Sequence, residues 1–497
     1  MIATALGRIA SLIFNPDPRA ARAAMGGLLA GGGLLAALLV AALGPIYAII
    51  GCIALIGGLL MLRDLRWGMV ALFAVIGVLP FAALPFKLGF TPTFLDLALA
   101  ALFFVWIMRV AARQQEELIG TPLGAAVLLF AALAVFGFAN GLRHGQPTVT
   151  TIRNFAELLL GILSFFLLVN NFRAQRDLDL VAGLIILAGA AAATIAIIFY
   201  VIPEAATVRV LDALARFNYP GGYGALRYIE DSPENPMRAI GTMIDPNVLG
   251  GFMILVAALT APQVVSAQPL WPRRWLALIL ALDALALYLT YSRGSLVGLA
   301  AGLLAVGVLR YRKLLLIAFI GAGLLMLLPP AEAYVAHMIE GLQLQDRATL
   351  MRLGEYKDAI SLISRYPWFG VGFSGSPDAN LYVGVSNLYL LMAEEMGVIG
   401  VACFLAVVGL FLARLFTAWR RIVKVASPQP RLEALFLGLG AGVVGALVGG
   451  IFDHYLFNLV YPHMTTLFWL YLGLGMAAAE NTEAVHAELK LYPRPVL

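Results

Sequence analysis

Apolar residues fill long, nearly unbroken runs of this chain, and polar residues gather between them. A bilayer core takes roughly 20 apolar residues per helix. Fourteen stretches fit that length, at about 24–43, 44–62, 67–85, 94–110, 121–140, 153–171, 178–202, 241–262, 274–290, 294–309, 314–330, 390–414, 432–452 and 460–479. The pattern predicts an all-α integral membrane protein of about 14 transmembrane helices, forming one polytopic domain over 1–497. The first residues, MIATALGRIASLIF, are short and amphipathic and lack a small-residue cleavage site. They read as an interfacial helix rather than a signal peptide. No internal repeat and no separate soluble domain is visible.

Two polar intervals are long enough to be functional. The first spans 203–240. The second spans 331–389; its first half has helical periodicity up to Pro367, and its second half is glycine-rich and irregular.

Charge orients these helices. With a cytoplasmic N-terminus, 21 of the 33 Lys and Arg fall in the cytoplasmic turns, as the positive-inside rule requires. The pattern therefore predicts a membrane protein with both termini cytoplasmic. The other 12 basic residues fall outside or at the outer rim, and 11 of them lie between 143 and 365.

Composition agrees with the pattern. The chain is 62% hydrophobic and only 12% charged, against about a quarter charged in soluble domains. Its 50 glycines suit helices packed closely in a bilayer. Cys52 and Cys403 sit in apolar runs and read as packing residues. There is no CxxC, HExxH or Walker-type loop. The net charge of +5 is accounted for by membrane topology, so no nucleic-acid partner is expected.

Five clusters can carry chemistry. Thr290-Tyr291-Ser292-Arg293-Gly294-Ser295 joins two apolar segments with almost no loop. Arg352 opens an amphipathic stretch with Glu355, Tyr356 and Asp358, which ends at Pro367-Trp368-Phe369-Gly370-Val371-Gly372. Ser386-Asn387-Leu388-Tyr389 precedes two acids, Glu394 and Glu395, that enter an apolar segment. Asp245-Pro246-Asn247 starts the eighth segment. Asp453-His454-Tyr455 lies between the last two. Each has an ordinary structural explanation: snorkelling for Arg293, helix-surface pairing around Arg352, a buried ion pair for the glutamates, capping for Asp245 and a hydrogen-bonded bystander for His454. Asp283, deep in the ninth segment, reads as a helix–helix hydrogen bond. Several arginines at an outer membrane surface nevertheless suit a lipid-linked diphosphate, which planar guanidinium groups grip in pairs.

In order, Asp-Pro-Asn, Ser-Arg-Gly, an Arg-led helix ending in Pro-Trp-Phe-Gly-Val-Gly, and Asn-x-Tyr-Leu followed by Glu-x-Gly resemble the O-antigen ligase and O-antigen polymerase superfamily. The segment from Leu84-Pro85-Phe86 to Asp96 is also similar, and 290–400 is the most specific part. The resemblance implies a metal-independent, cofactor-free, all-helical membrane glycosyltransferase. It implies a donor glycan on undecaprenyl diphosphate, a glycan or lipid-linked acceptor, contact with membrane lipid, and a place in the bacterial inner membrane with the active site facing the periplasm. A chain-length regulator or other export components would be its partners. Arg293 and Arg352 match the diphosphate-binding arginines. Arg143, Arg153 and Arg238 are further candidates, and Asp245, Asn247, Tyr356, Asn387 and Tyr389 complete the expected binding set. Ligases of this family carry a His before the residue matching Asn387, taken as the base; here Ser386 stands in its place. Asp378, Glu395 and His454 are the alternative bases. The leading expectation is a polymerase of polyprenyl-diphosphate-linked repeat units acting outside the cytoplasm by inverting transfer. The alternatives are a ligase and a lipid-linked-oligosaccharide flippase.

Overall fold

The computed structural model describes residues 33, 37, 40–41, 44–86, 89–113, 118–329, 331–344, 347–375, 384–424 and 429–491. Asp378 lies outside the described residues, as does most of the first expected segment. The described chain is helical, with two isolated β-bridges and no longer strand. It divides into two compact units, Met1–Gly68 and Met69–Leu497. The first contains α1 (Pro45–Arg63).

The remaining helices are α2 (Leu65–Val78), α3 (Phe94–Ala111), α4 (Gly124–Gly141), α5 (Val149–Asn171), α6 (Gln175–Val201), α7 (Glu204–Leu214), α8 (Pro246–Val265), α9 (Arg273–Leu289) and α10 (Arg293–Leu309). They continue as α11 (Arg312–Leu325), α12 (Ala331–Leu342), α13 (Arg347–Arg365), α14 (Leu388–Lys424), α15 (Pro430–Gly449) and α16 (Pro462–Leu491). Among the described residues, seven helices are long and apolar enough to cross a membrane: α3, α4, α5, α6, α8, α14 and α15. Some others in expected segments are shorter. α2 stops before Pro80, and α10 has 17 residues. At 1.5 Å per residue, such helices fall short of a 30 Å hydrocarbon core unless the bilayer thins or their flanks extend.

The core of the second unit is α8. Nearly every residue from Val248 to Gln263 is buried, so this helix is apolar all round and faces protein on every side. It packs against α6, α9, α10 and α15, while α16 packs along α5. The contact of α10 with α15 is made by glycine. Gly298 and Gly302 lie on one face of α10, and a Cβ on either would overlap the backbone oxygens of Gly445 or Ala441 on α15. Small residues at i, i+4 spacing let two backbones touch. That close packing fixes the N-terminus of α10, and hence Arg293, beside the turn that follows α15.

Both long intervals are ordered where described. The first contains α7 and several short 3-10 turns, tied by a bridge between Tyr228 and Met237. The second contains α12 and α13. α12 is docked by Tyr334, which stacks on Tyr288 at 4.9 Å and on Tyr291 at 5.4 Å.

The glycine-rich run after α13 has a structural task. α14 is broken at Gly397, where φ is 69° and ψ is −177°. The run fills the gap in the helical ladder. Val371 N–H donates to Glu394 O at 2.7 Å, Gly372 N–H to Glu395 O at 3.1 Å, and Val398 N–H to Pro367 O at 2.8 Å. Gly370, also at positive φ, lies against the backbone of Glu394.

Candidate functional site

A polar cavity of about 220 Å³ opens where both long intervals meet the ends of α8, α10, α13 and α15. Four arginines line it: Arg227 and Arg238 from the first interval, Arg293 from α10 and Arg352 from α13. Arg238, Arg293 and Arg352, expected from sequence, therefore converge, and Asp245 and Asn247 share the same wall.

Local sequence explains each placement. Asp245 caps α8: its Oδ1 accepts from Asn247 N–H at 2.7 Å and Val248 N–H at 3.1 Å, with Pro246 at the first helical position. The corner between α9 and α10 is only Thr290-Tyr291-Ser292, with Tyr291 at φ 54°. Arg238 is fastened to both elements. Its Nε donates to Thr290 O at 2.7 Å and its Nη2 to Asn247 Oδ1 at 2.8 Å. On α13, Ala348, Met351, Arg352 and Glu355 recur at helical spacing and face the cavity, while Ala359, one turn further along the same face, packs with Val385 and Leu391.

Arg293 is covered by α12. Its Nη1 donates to His337 O at 2.9 Å, and its guanidinium lies so close to Gly341 that a Cβ there would collide with it. The role of α12 is absent from the sequence motifs; its only clue is the aromatic Tyr334 in an otherwise ordinary amphipathic stretch.

Four guanidinium groups and five carboxylates, Glu230, Asp231, Asp245, Glu355 and Asp453, line the cavity, so an anion is met by local guanidinium and helix-end contacts rather than by a net positive charge. α8 and α10 both point their N-termini into the cavity, where the helix dipole attracts negative charge, although Asp245 already accepts the first N–H groups of α8. The α10 cap, Ser292, makes no side-chain bond to its own helix backbone. Burial and, among the charges, Arg352 lower the pKa of Arg238 to about 10, against the pull of Asp245, Asp453 and Asp231. Two of the cavity's acids are engaged: Asp245 as the cap, and Glu355, whose Oε2 accepts Ser386 N–H at 2.9 Å. Ser386, where ligases of the resembled family have His, lines the cavity.

Asp453 is the acid the sequence reasoning passed over in favour of its neighbour. It lines the cavity, whereas His454 does not; His454 Nδ1 lies 3.6 Å from Asp453 Oδ1. Burial raises the Asp453 pKa, and Asp245 adds to the rise, against His454 and Arg352. The Asp453 turn is clamped by the expected binding residues. Tyr356 Oη and Asn387 Nδ2 both donate to Ile451 O, at 3.2 and 2.8 Å, and Leu388 N–H donates to Gly450 O and Asp453 O. Tyr389 Oη donates to Leu447 O at 2.7 Å. These three side chains hold backbone around the site.

Other expected site residues lie elsewhere. Glu395 is buried beside the break in α14 and does not line the cavity. Arg143 is exposed beyond the end of α4. Arg153 lines a second cavity of about 330 Å³, which shares Arg227 and Asp245 with the first.

Residues 276–405 match the family model described as O-antigen ligase. The match bears out the resemblance to the O-antigen ligase and polymerase superfamily, whose members are glycosyltransferase-like enzymes. It spans Arg293, Arg352 and Ser386, but neither Arg238 and Asp245 nor Asp453. No curated protein matched the chain.

Proposed function

We propose, on the premise of that family match, that this membrane protein polymerises polyprenyl-diphosphate-linked oligosaccharide repeat units by inverting glycosyl transfer. The observation that carries the reading is the cavity shared by four arginines and two helix N-termini. Such a site suits a diphosphate both as substrate and as leaving group.

In the reaction, an acceptor hydroxyl oxygen attacks the anomeric carbon of the donor sugar. The bond from that carbon to the diphosphate oxygen breaks, and its electron pair leaves with the diphosphate. Arg293, Arg352 and Arg238 offset the developing charge from fixed positions, the kind of preorganised stabilisation that contributes most to such transfers. Asp453 takes the acceptor proton. It faces the same cavity as Ser386, and its raised pKa suits a base stronger than an ordinary carboxylate.

Glycan transfer by the purified protein in detergent tests this reading. Polyprenyl-diphosphate oligosaccharide should be converted to longer chains without any ion gradient, and Arg293→Ala and Arg352→Ala should abolish conversion while inserting normally. Normal polymer from either variant contradicts the assignment. Transport of the lipid-linked substrate without transfer would favour the flippase, and transfer only to a lipid A core acceptor the ligase.

A further inference from the structure

We infer that the second cavity is the subsite for the acceptor sugar, so that donor diphosphate and acceptor glycan occupy two adjoining chambers. The inference rests on the transfer chemistry proposed for the first cavity.

The two chambers share Arg227 and Asp245, so their contents would be neighbours. Their chemistry differs. The first brings four guanidinium groups and two helix N-termini together among its carboxylates, while the second has only Arg153 and the shared Arg227. In the second, Arg153 sits between two carboxylates, 3.9 Å from Asp96 and 3.7 Å from Glu157, and also donates to Thr91 O at 2.8 Å. Arg153 is thereby paired, leaving the shared Arg227 as the chamber's other cation.

The chamber also offers hydroxyl-binding groups. Glu157 is 1% exposed; its Oε1 accepts from Thr93 Oγ1 at 3.0 Å, while its Oε2 makes no hydrogen bond and has only the Arg153 Nη2 contact at 3.7 Å. A buried carboxylate oxygen without a hydrogen bond is costly, and a ligand hydroxyl lowers the cost. The wall opposite is apolar and aromatic. Tyr461 and Phe81 lie edge to face at 6.3 Å, and the Tyr461 hydroxyl bonds Asp245 at the junction. A carboxylate and an arginine for hydroxyls, with aromatic surface for the C–H face of a ring, fit a neutral pyranose. At about 330 Å³ the chamber is at the small end of ligand sites, enough for the end of a chain rather than a whole repeat. An acceptor bound there would extend its attacking hydroxyl past Asp245 toward the anomeric carbon in the first chamber.

Two probes separate this inference from the function on which it rests. One is undecaprenyl diphosphate; the other is the lipid-free, phosphate-free oligosaccharide released by hydrolysis of the host's polymer. Binding to the purified full chain in nanodiscs is measured for each, by native mass spectrometry and by saturation-transfer NMR. Glu157→Gln should weaken oligosaccharide binding at least about tenfold and leave undecaprenyl diphosphate unchanged. Arg293→Ala should do the reverse. Val460→Trp, at a rim position 58% exposed, should block the oligosaccharide without burdening the fold. Wild-type oligosaccharide affinity in both Glu157→Gln and Val460→Trp overturns the subsite. So does loss of oligosaccharide binding in Arg293→Ala alone. Failure of the wild type to bind undecaprenyl diphosphate overturns the underlying function instead.

Discussion

Gly341 and Arg293 give a test in which stability and activity move apart. Alanine is favoured over glycine in a helix by roughly 0.8–1 kcal/mol, so Gly341→Ala should leave thermal stability equal or higher. The added methyl would occupy the place of the Arg293 guanidinium, the mobile end of a side chain, and turn it from the cavity. Transfer should fall at least about tenfold, as for loss of one charged hydrogen bond. Wild-type activity with unchanged Tm would show that Arg293 is not held as described. Asp453 gives a second test. Its folded-state pKa is raised, mainly by burial, and a base works only when deprotonated. Transfer should therefore rise with pH through a midpoint above the ordinary aspartate value of about 3.9. Asp453→Asn should lower transfer about 10²–10⁴-fold and spare undecaprenyl diphosphate binding. A pH limb that persists in Asp453→Asn would assign the titration to another group. Sequence alone pointed to His454 because histidine titrates near neutrality. The two residues are adjacent, and only the turn after α15, clamped by Asn387 and Tyr356, decides which of them faces the arginines.

The motif Pro367-Trp368-Phe369-Gly370-Val371-Gly372 was legible as a helix stop, but its partner lies some 25 residues further on. It substitutes for the helical hydrogen bonds that α14 loses at Gly397. At φ 69°, ψ −177° the backbone is in a region nearly restricted to glycine, and a Cβ there would strike the Trp368 backbone. Gly397→Ala should destabilise the protein by at least about 1–3 kcal/mol from backbone strain alone, read as a lower Tm in detergent with loss of monodisperse protein. An unchanged Tm would mean that the break is not a fixed feature. At the break, the backbone carbonyls of Glu394 and Glu395 accept from the glycine-rich run, and the Glu394 side chain accepts Gly384 N–H at 3.3 Å.

Across the whole chain, helices were legible because a bilayer imposes long apolar runs, and every expected segment from 44 onward contains a described helix. Fourteen crossings were expected; among the described residues, length and hydropathy together identify seven helices of spanning length. What periodicity could not show is which segments are wholly enclosed. α8 reads like any lipid-facing helix, yet protein surrounds it on all sides. Nor could it show that Arg153 and Arg238, 85 positions apart, would serve adjoining chambers. The family-like motifs marked Arg293 and Arg352 because they are local; the walls supplied by 227–247 and 449–453 come together only through packing around α8 and α15. The proposed division of labour also bears on the product. Loss of the chain in its host should leave single repeat units on the carrier if it polymerises; long but unattached polymer would mark a ligase.

The central claim, that the arginine-lined cavity grips a polyprenyl diphosphate, is tested most directly by the affinity of the purified protein for undecaprenyl diphosphate. Wild type should bind it, and Arg293→Ala and Arg352→Ala should each weaken binding at least about tenfold, or 1.4 kcal/mol, with Tm unchanged. Undiminished affinity in the Arg293→Ala, Arg352→Ala double variant would contradict the account.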